Sequence, residues 1–198
     1  MDKLQLGVGR AVITPKIGCE LFGYFTDFFS DSLHDDLTAT AYYFKQGDTQ
    51  ALLVSLTVAS LQTQMMNNLR RRVQEKFSIP AANCIFTATH THSGPATSGQ
   101  VGWGDVDHEY CDTIFIPGIL SPIQLALENT TPVTMAVSEG ESLAAINRRQ
   151  VDENGNYVGT YAGAEIPKGG EGQFPLGYNY FTKVRKDTAL ESNRFCVD

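Results

Sequence analysis

The segment Thr87-Ala88-Thr89-His90-Thr91-His92-Ser93-Gly94-Pro95 joins a β-branched run to a Gly-Pro break. This pattern predicts a strand over Cys84 to Thr91 whose last residues enter a loop. Because side chains alternate along a strand, His90 and His92 should share one side, with Cα atoms roughly 6.6 Å apart. Both imidazoles could then reach one zinc ion or one substrate group. The alternative is that both are ordinary solvated residues at a threonine-rich strand end.

The residues before this segment predict a hairpin and a helix. Alternating apolar and polar residues indicate strands over Leu6 to Thr14, Thr38 to Phe44 and Gln50 to Thr57, the last two joined by a tight turn. Apolar residues at helical spacing predict a helix over Thr63 to Phe77. The apolar first half of the histidine-bearing strand favours a position in the middle of a sheet.

The residues after the segment predict a long helix and one more strand. Asp107 is a suitable N-cap for a helix reaching about Glu128, which Pro117 and Pro122 should kink or split. A strand is expected over Val133 to Glu139. Beyond Val151, glycines interleaved with aromatic residues predict a long mobile loop.

The composition is that of a globular chain with one core. Of 198 residues, 42% are hydrophobic and 19% are charged, which suits one sizeable domain better than two. The net charge of −7, without an extended basic stripe, argues against a nucleic-acid partner. The four cysteines are widely spaced and form no Cys-x-x-Cys pair, so we expect reduced, mostly buried thiols.

The sequence predicts neither a transmembrane segment nor a signal peptide. No apolar run approaches the length needed to span a membrane, and the first residues lack the apolar core of a signal peptide. As written, the chain is therefore expected to be cytoplasmic. A trimmed start would make it a secreted protein instead.

Four short segments, taken in chain order, form a recognisable set. They are Gly7 to Pro15 with Phe22-Gly23-Tyr24 after it, His34-Asp35-Asp36-Leu37, Thr89-His90-Thr91-His92-Ser93-Gly94-Pro95, and Ile146-Asn147-Arg148. The third is similar to Thr-His-Thr-His-Ser-Gly-Pro, the most specific signature of the neutral/alkaline non-lysosomal ceramidase family. The whole set resembles the N-terminal catalytic domain of that family.

This resemblance implies a zinc-dependent amidohydrolase that cleaves the N-acyl bond of ceramide or a related lipid. On the matching positions, His90 would be a Zn2+ ligand, and His92 would hydrogen-bond the substrate or the tetrahedral intermediate. Arg148 would line the same pocket, and His34 and Asn147 would contact the substrate. The implied fold is α/β, a layered mixed sheet with covering helices that forms part of a four-layer αββα sandwich.

The resemblance also implies that the chain is incomplete. The family's other zinc ligands, a histidine, a glutamate and a tyrosine, and its Gly-Asp-Val-Ser-Pro-Asn segment lie further along a longer chain, and this sequence lacks them. We therefore expect residues 1–180 to form an incomplete catalytic domain, with residues 181–198 as an unassigned tail. Two other hypotheses stay open: a non-catalytic lipid-binding or remnant domain, and a zinc hydrolase of a non-sphingolipid amide or ester.

Overall fold

A computed structural model describes residues 2–23, 27–100, 104–138, 140, 149–151, 153–154 and 156–160. The chain divides into two compact units, Met1–Val133 and Thr134–Asp198. The first unit contains the sheet, the helices and the histidine segment. In the second, the structure describes a short antiparallel hairpin.

The first unit is built on a five-stranded mixed sheet. Its strands are β1 (Gln5–Val12), β2 (Thr38–Gln46), β3 (Thr49–Leu56), β4 (Cys84–Ala88) and β5 (Thr131–Pro132). They lie in the order β4-β3-β2-β1-β5, and all neighbours are antiparallel except β3 and β4, which are parallel. The predicted α/β class and the predicted hairpin of β2 and β3 are confirmed.

Helix α1 (Thr63–Phe77) connects the parallel strands β3 and β4, followed by a 3-10 turn at Ala81–Asn83. The sequence predicted both of its ends. Met66, Leu69 and Val73 are buried at helical spacing, so one stripe of α1 faces the core. The helix ends where Ser78 adopts a left-handed backbone conformation with φ of 57°.

Helix α2 (His108–Glu128) is continuous but contains a π-helical turn. Its start was predicted correctly, since the Asp107 carboxylate accepts a 2.9 Å hydrogen bond from the backbone N–H of Tyr110. The π-turn spans Cys111–Phe115, and Pro117 lies in the first turn of the α-helical part that follows, where its missing N–H is best tolerated. The expected split is thus a local change of helical winding, and the helix runs on past Pro122.

Glycines in β1 bring α2 close to the sheet. A Cβ atom on Gly7 would lie 1.7 Å from the Ala126 carbonyl oxygen, and one on Gly9 would lie 2.1 Å from that of Pro122. Any side chain at these two positions would therefore push the helix off the strand. The two glycines set the distance between the layers.

Both helices share one core with one face of the sheet. Ala41, Val54 and Phe86 are cross-strand neighbours in register, and they belong to the same buried cluster as Leu69 of α1 and Ile119 of α2. The described residues thus supply one sheet and one helical layer of the αββα sandwich that the resemblance implies.

By length and composition, α2 could also cross a membrane, which the sequence analysis did not anticipate. Its contacts are those of a core helix, because Phe115, Ile119 and Ile123 are fully buried in the cluster it shares with the sheet. A buried helix of a globular domain passes the same test of length and composition. We therefore assign α2 to the core.

Strand β4 differs from the prediction in two ways. It ends at Ala88 and not at Thr91, because the chain turns at His90, whose φ of +63° cannot continue an extended ladder. In the described part of the chain β4 is also an edge strand and not a central one. Its residues alternate between the core and the opposite face, where Ile85 is 56% exposed.

The strand predicted over Val133 to Glu139 is also wrong. Only Thr131 and Pro132 pair with β1, and residues 133–138 form no strand. Pairing stops because β1 begins at Gln5, so the last backbone bond runs from the Val133 N–H to the Leu4 carbonyl. Glu139 itself lies outside the described residues.

The second unit contains a hairpin of β6 (Arg149–Val151) and β7 (Tyr157–Thr160). The loop predicted after Val151 is therefore wrong for residues 157–160, and the rest of that prediction, from residue 161 onward, lies outside the described residues. Among the cysteines of the described part, Cys84 and Cys111 are buried and Cys19 is half-buried, all as free thiols. This agrees with the expectation of reduced thiols.

Candidate active site

The loops after three strands meet at one end of the sheet. Strand β2 is antiparallel to both β1 and β3, and β4 is parallel to β3, so β1, β3 and β4 all run in the same direction. Their carboxyl ends therefore lie at the same edge of the sheet, the usual position of a binding site in an α/β fold. The loop after β4 carries His90 and His92.

The rings of His90 and His92 lie together at this edge. Their centroids are 5.0 Å apart, and the ring planes are nearly perpendicular at 82°. The proximity inferred from strand alternation is therefore present, although both residues follow the strand instead of ending it. The left-handed backbone of His90 re-aims the chain so that two residues of one loop present adjacent imidazoles.

Two consecutive carbonyl groups hold His90. Its backbone N–H donates to the Val58 carbonyl at 3.0 Å, and its ring Nδ1–H donates to the Ala59 carbonyl at 2.7 Å. Since a carbonyl oxygen can only accept, the proton of the neutral ring resides on Nδ1 and the Nε2 lone pair is left for a ligand. A hydrogen bond of this kind orients most metal-binding histidines.

His92 is positioned by the loop after β1. Its ring packs edge-on against Phe22 at a centroid distance of 6.0 Å. The adjacent Gly23 has a φ of +85°, and a Cβ atom there would lie 2.3 Å from Nδ1 of His92. The sequence drew attention to Phe22-Gly23 but did not predict this steric role, for which the single signal was the glycine between two aromatic residues.

A small second core supports both histidines. It consists of Phe22, Ala59 and Ala96, which are 1%, 4% and 5% exposed and form a cluster separate from the main core. Phe22 contacts His92, and the carbonyl of Ala59 accepts the hydrogen bond from His90. This small core therefore connects the three loops that build the site.

His34 lies elsewhere on this surface. Its side chain is 97% exposed, and its Nδ1 atom is hydrogen-bonded to the Asp35 carboxylate at 2.7 Å. It lines a cavity of about 520 Å³ together with Thr91 and Ser93, the residues that alternate with the two histidines in the loop. His90 and His92 are not among the lining residues of that cavity.

The same cavity has an apolar rim. Ile17, Phe28, Phe29 and Leu33 are each more than half exposed, although such side chains usually lie inside a protein. An exposed apolar cluster around a concave surface is typical of a binding site for an apolar group. Since Thr91 and Ser93 line this cavity, the candidate binding site for an apolar group adjoins the loop that carries His90 and His92.

The donors for a metal ion are only partly present among the described residues. No group of three or more His, Cys, Asp or Glu side chains that could hold a metal occurs there. The Nδ1–H tautomer of His90 suits a zinc ligand, but further ligands would have to come from beyond the described part of the chain. Asn147 and Arg148 also lie outside it, so the roles predicted for them stay predictions.

The chain is similar to known ceramidases in both sequence and fold. Residues 4–154 match the family model described as neutral/alkaline non-lysosomal ceramidase, N-terminal. The neutral ceramidase of Mycobacterium tuberculosis (strain ATCC 25618 / H37Rv) is 29% identical over 161 residues, which cover 73% of this chain and 25% of that protein.

Two solved structures share the fold. The neutral ceramidase of Pseudomonas aeruginosa superposes with a TM-score of 0.64 at 20% identity, covering 79% of this chain and 31% of that one. A structure of a ceramidase complexed with C2 gives a TM-score of 0.65 at 19% identity, covering 79% of this chain and 30% of that one. The chain thus spans about a quarter to a third of the length of these relatives. The family model matches three quarters of this chain. The chain therefore belongs to the neutral/alkaline non-lysosomal ceramidase family, of which it contains the N-terminal region.

Proposed function

We propose that this chain is the N-terminal part of a zinc-dependent amidohydrolase that cleaves the N-acyl bond of ceramide or a related lipid. The observation that carries the proposal is the 2.7 Å hydrogen bond from His90 Nδ1–H to the Ala59 carbonyl, which leaves Nε2 available to a metal ion. It occurs in the segment that matches the most specific signature of the family.

Each residue of the site has a proposed task. Nε2 of His90 would hold the ion, which when bound supplies a Lewis acid that polarises the amide carbonyl and lowers the pKa of a water to about 7. His92, whose ring lies 5.0 Å from that of His90, would donate a hydrogen bond to the carbonyl oxygen as it gains negative charge. The guanidinium of Arg148 would add positive charge to the same pocket.

The cavity beside the histidine loop supports a lipid substrate. Its apolar rim is suited to an acyl chain, and Thr91 and Ser93 bring it into contact with the loop that carries His90 and His92. His34 and Asn147 are proposed to contact the substrate. The cytoplasmic location expected from the N-terminal residues is likewise still a prediction.

The proposal is tested by metal analysis and hydrolysis on the full-length protein. We expect about one zinc per chain and release of fatty acid from an N-acyl sphingoid substrate, with both lost in His90→Ala. The matched control is His108→Ala, which removes an exposed imidazole at the first position of α2. An unchanged rate of hydrolysis in His90→Ala would eliminate the zinc-amidase proposal.

A second candidate is a lipid-binding domain without catalysis. It is favoured by the apolar rim of the cavity, where Phe28, Phe29 and Leu33 are each more than half exposed and could contact an acyl chain without any chemistry. Acyl-lipid binding that persists when His90 and His92 are both replaced by alanine, in a protein that contains no metal, would support this candidate. Zinc-dependent hydrolysis of simple amides or esters, with no ceramide turnover, would instead indicate a different substrate class.

A further inference from the structure

Three hydroxyl groups lie next to the backbone that holds His90. Thr97 is buried, with 1% of its surface exposed, and its hydroxyl donates a hydrogen bond to the Ser60 carbonyl. The hydroxyls of Ser60 and Ser98 are hydrogen-bonded to each other. Buried hydroxyl groups are generally hydrogen-bonded, and the partner of the Thr97 hydroxyl is the Ser60 carbonyl, which this contact anchors.

The segment Ala59–Ser60 is therefore held on two sides. The Ala59 carbonyl accepts a hydrogen bond from Nδ1–H of His90, and the next carbonyl along the chain, that of Ser60, accepts one from the Thr97 hydroxyl. Ala59 itself is packed in the small core beside Ala96, the residue that precedes Thr97. The two carbonyls belong to successive peptide units that share the Cα atom of Ser60, so a hydrogen bond that anchors one of them limits the movement of the other.

The tautomer of His90 depends on that arrangement. In the neutral ring, the proton resides on Nδ1 because the Ala59 carbonyl is 2.7 Å away and can only accept. If the carbonyl turned away, nothing in this contact would favour Nδ1 over Nε2. A proton on Nε2 would then occupy the nitrogen that is otherwise open to a ligand.

We infer that Thr97, assisted by Ser98, is a positioning residue of the site: its hydroxyl holds the Ala59–Ser60 backbone so that His90 stays in the Nδ1–H tautomer with Nε2 open to a ligand. Naming zinc as that ligand rests on the proposed function. The tautomer itself is a property of the protein without metal. Thr97 acts through Ala59 and Ser60 and need not contact the substrate.

The test compares Thr97→Val, which has a similar shape but no hydroxyl, with Thr97→Ser, which keeps the hydroxyl. The tautomer of His90 is measured on the metal-free full chain by long-range 1H–15N NMR of the imidazoles at a pH where they are neutral. Zinc affinity is measured by competition with a chelating dye. In Thr97→Val we expect a clear population of the Nε2–H tautomer and a Kd for zinc about tenfold higher, the lower end of the effect of losing an outer-shell partner.

The conservative variant should rescue both measurements. Thr97→Ser is expected to keep the Nδ1–H tautomer and a Kd for zinc within about twofold of the parent protein, as its hydroxyl can still reach Ser60. If Thr97→Val only lowers the melting temperature and leaves the tautomer and the affinity of the folded protein unchanged, Thr97 has a structural role and the inference is wrong.

A second variant covers the case in which Thr97→Val does not fold. Ser98→Ala removes the hydroxyl partner of Ser60 at a half-buried position and leaves Thr97 in place. We expect a shift of the tautomer in the same direction but smaller, and no shift would overturn the inference. A parent protein that binds no zinc would contradict the proposed function alone, because the tautomer measurements would still decide the role of Thr97.

Discussion

The site depends on the left-handed backbone conformation of His90. A φ of +63° costs a residue with a side chain about 1–2 kcal/mol, and such a conformation persists only where its surroundings determine it. Here the Val58 and Ala59 carbonyls each accept one hydrogen bond from His90, which offsets that cost. The strained backbone therefore belongs to the residue that we propose as the metal ligand.

Gly23 offers the sharpest test at the residue scale. In Gly23→Ala, the new methyl group would lie 2.3 Å from Nδ1 of His92 and displace the ring, and the φ of +85° would be strained as well. We expect a loss of about 1–2 kcal/mol in stability and a strong drop in the kcat of N-acyl hydrolysis. Urea unfolding and steady-state kinetics measure the two effects.

Gly18→Ala is the matched control for that substitution. Gly18 has a φ of +92° in the same loop, but a methyl group there would meet nothing within 4 Å. It should lose about 1–2 kcal/mol of stability for the same backbone reason while keeping its kcat. Equal kinetic effects in the two variants would show that backbone strain, and not the His92 ring, is responsible.

At the scale of elements, sequence periodicity predicted what depends on local pattern. Helix α1 and the hairpin of β2 and β3 were predicted because burial, turn residues and propensity agree there. The ends of β4 and β5 were wrong because they depend on whether a partner strand continues, which no local pattern records. The short distance between β1 and α2 was missed for the same reason, since it appears only when Gly7 and Gly9 meet the helix backbone.

The close packing of β1 on α2 predicts a large effect for Gly9→Ala. A methyl group on Gly9 would lie 2.1 Å from the Pro122 carbonyl oxygen, and backbone cannot move aside as a flexible side chain can. We expect a loss of about 3 kcal/mol, the upper part of the usual range for overpacking, measured as a lower midpoint of urea unfolding. Gly99→Ala, whose methyl group would lie 3.7 Å from Val106, should change the midpoint little, and equal losses would contradict this account.

The π-turn of α2 predicts a pH dependence of stability. Burial, with the nearby Asp107 and Asp112 carboxylates, raises the pKa of the Cys111 thiol from 9.0 to about 11. Below pH 9 both the folded and the unfolded thiol are protonated, so Cys111 does not change stability with pH. Between pH 9 and 11 the unfolded chain releases a proton that the folded chain keeps, so stability falls by up to about 1.4 kcal/mol per pH unit.

Cys111→Ala isolates this contribution. The variant should lose stability less steeply than the parent protein when urea unfolding is compared at several values between pH 9 and 11. Some slope should be left, because burial also raises the pKa of Cys84 and of Tyr110. Identical slopes for the two proteins would show that the Cys111 thiol does not titrate differently in the folded state.

For the whole molecule, the strand directions explain why distant segments form one site. Phe22, Ala59 and His90 follow β1, β3 and β4, whose carboxyl ends share one edge of the sheet. The His90–His92 spacing in the sequence predicted that the two rings lie close together, and they do. It could not indicate the small core or the hydrogen bond to Ala59, because both arise only when the three loops meet.

The apolar cavity beside the histidine loop yields a prediction about substrate preference. Leu33 is 55% exposed on the cavity rim, so Leu33→Asn should cost little stability. If the cavity takes the acyl chain, the variant loses about 1 kcal/mol of apolar contact, or roughly a fivefold rise in KM for a long-chain N-acyl substrate. The KM for a two-carbon N-acyl substrate should not change, because that group is too short to reach the rim.

Ile85→Asn provides the matched comparison in the full-length protein. Ile85 is 56% exposed, nearly the same as Leu33, but it lies on β4 and is not part of the cavity lining. Its replacement should leave the KM for both substrates unchanged, as an exposed apolar residue outside the binding surface contributes little. A rise in KM that does not depend on acyl length, or that Ile85→Asn reproduces, would mean that the acyl chain binds elsewhere and that this cavity serves another purpose.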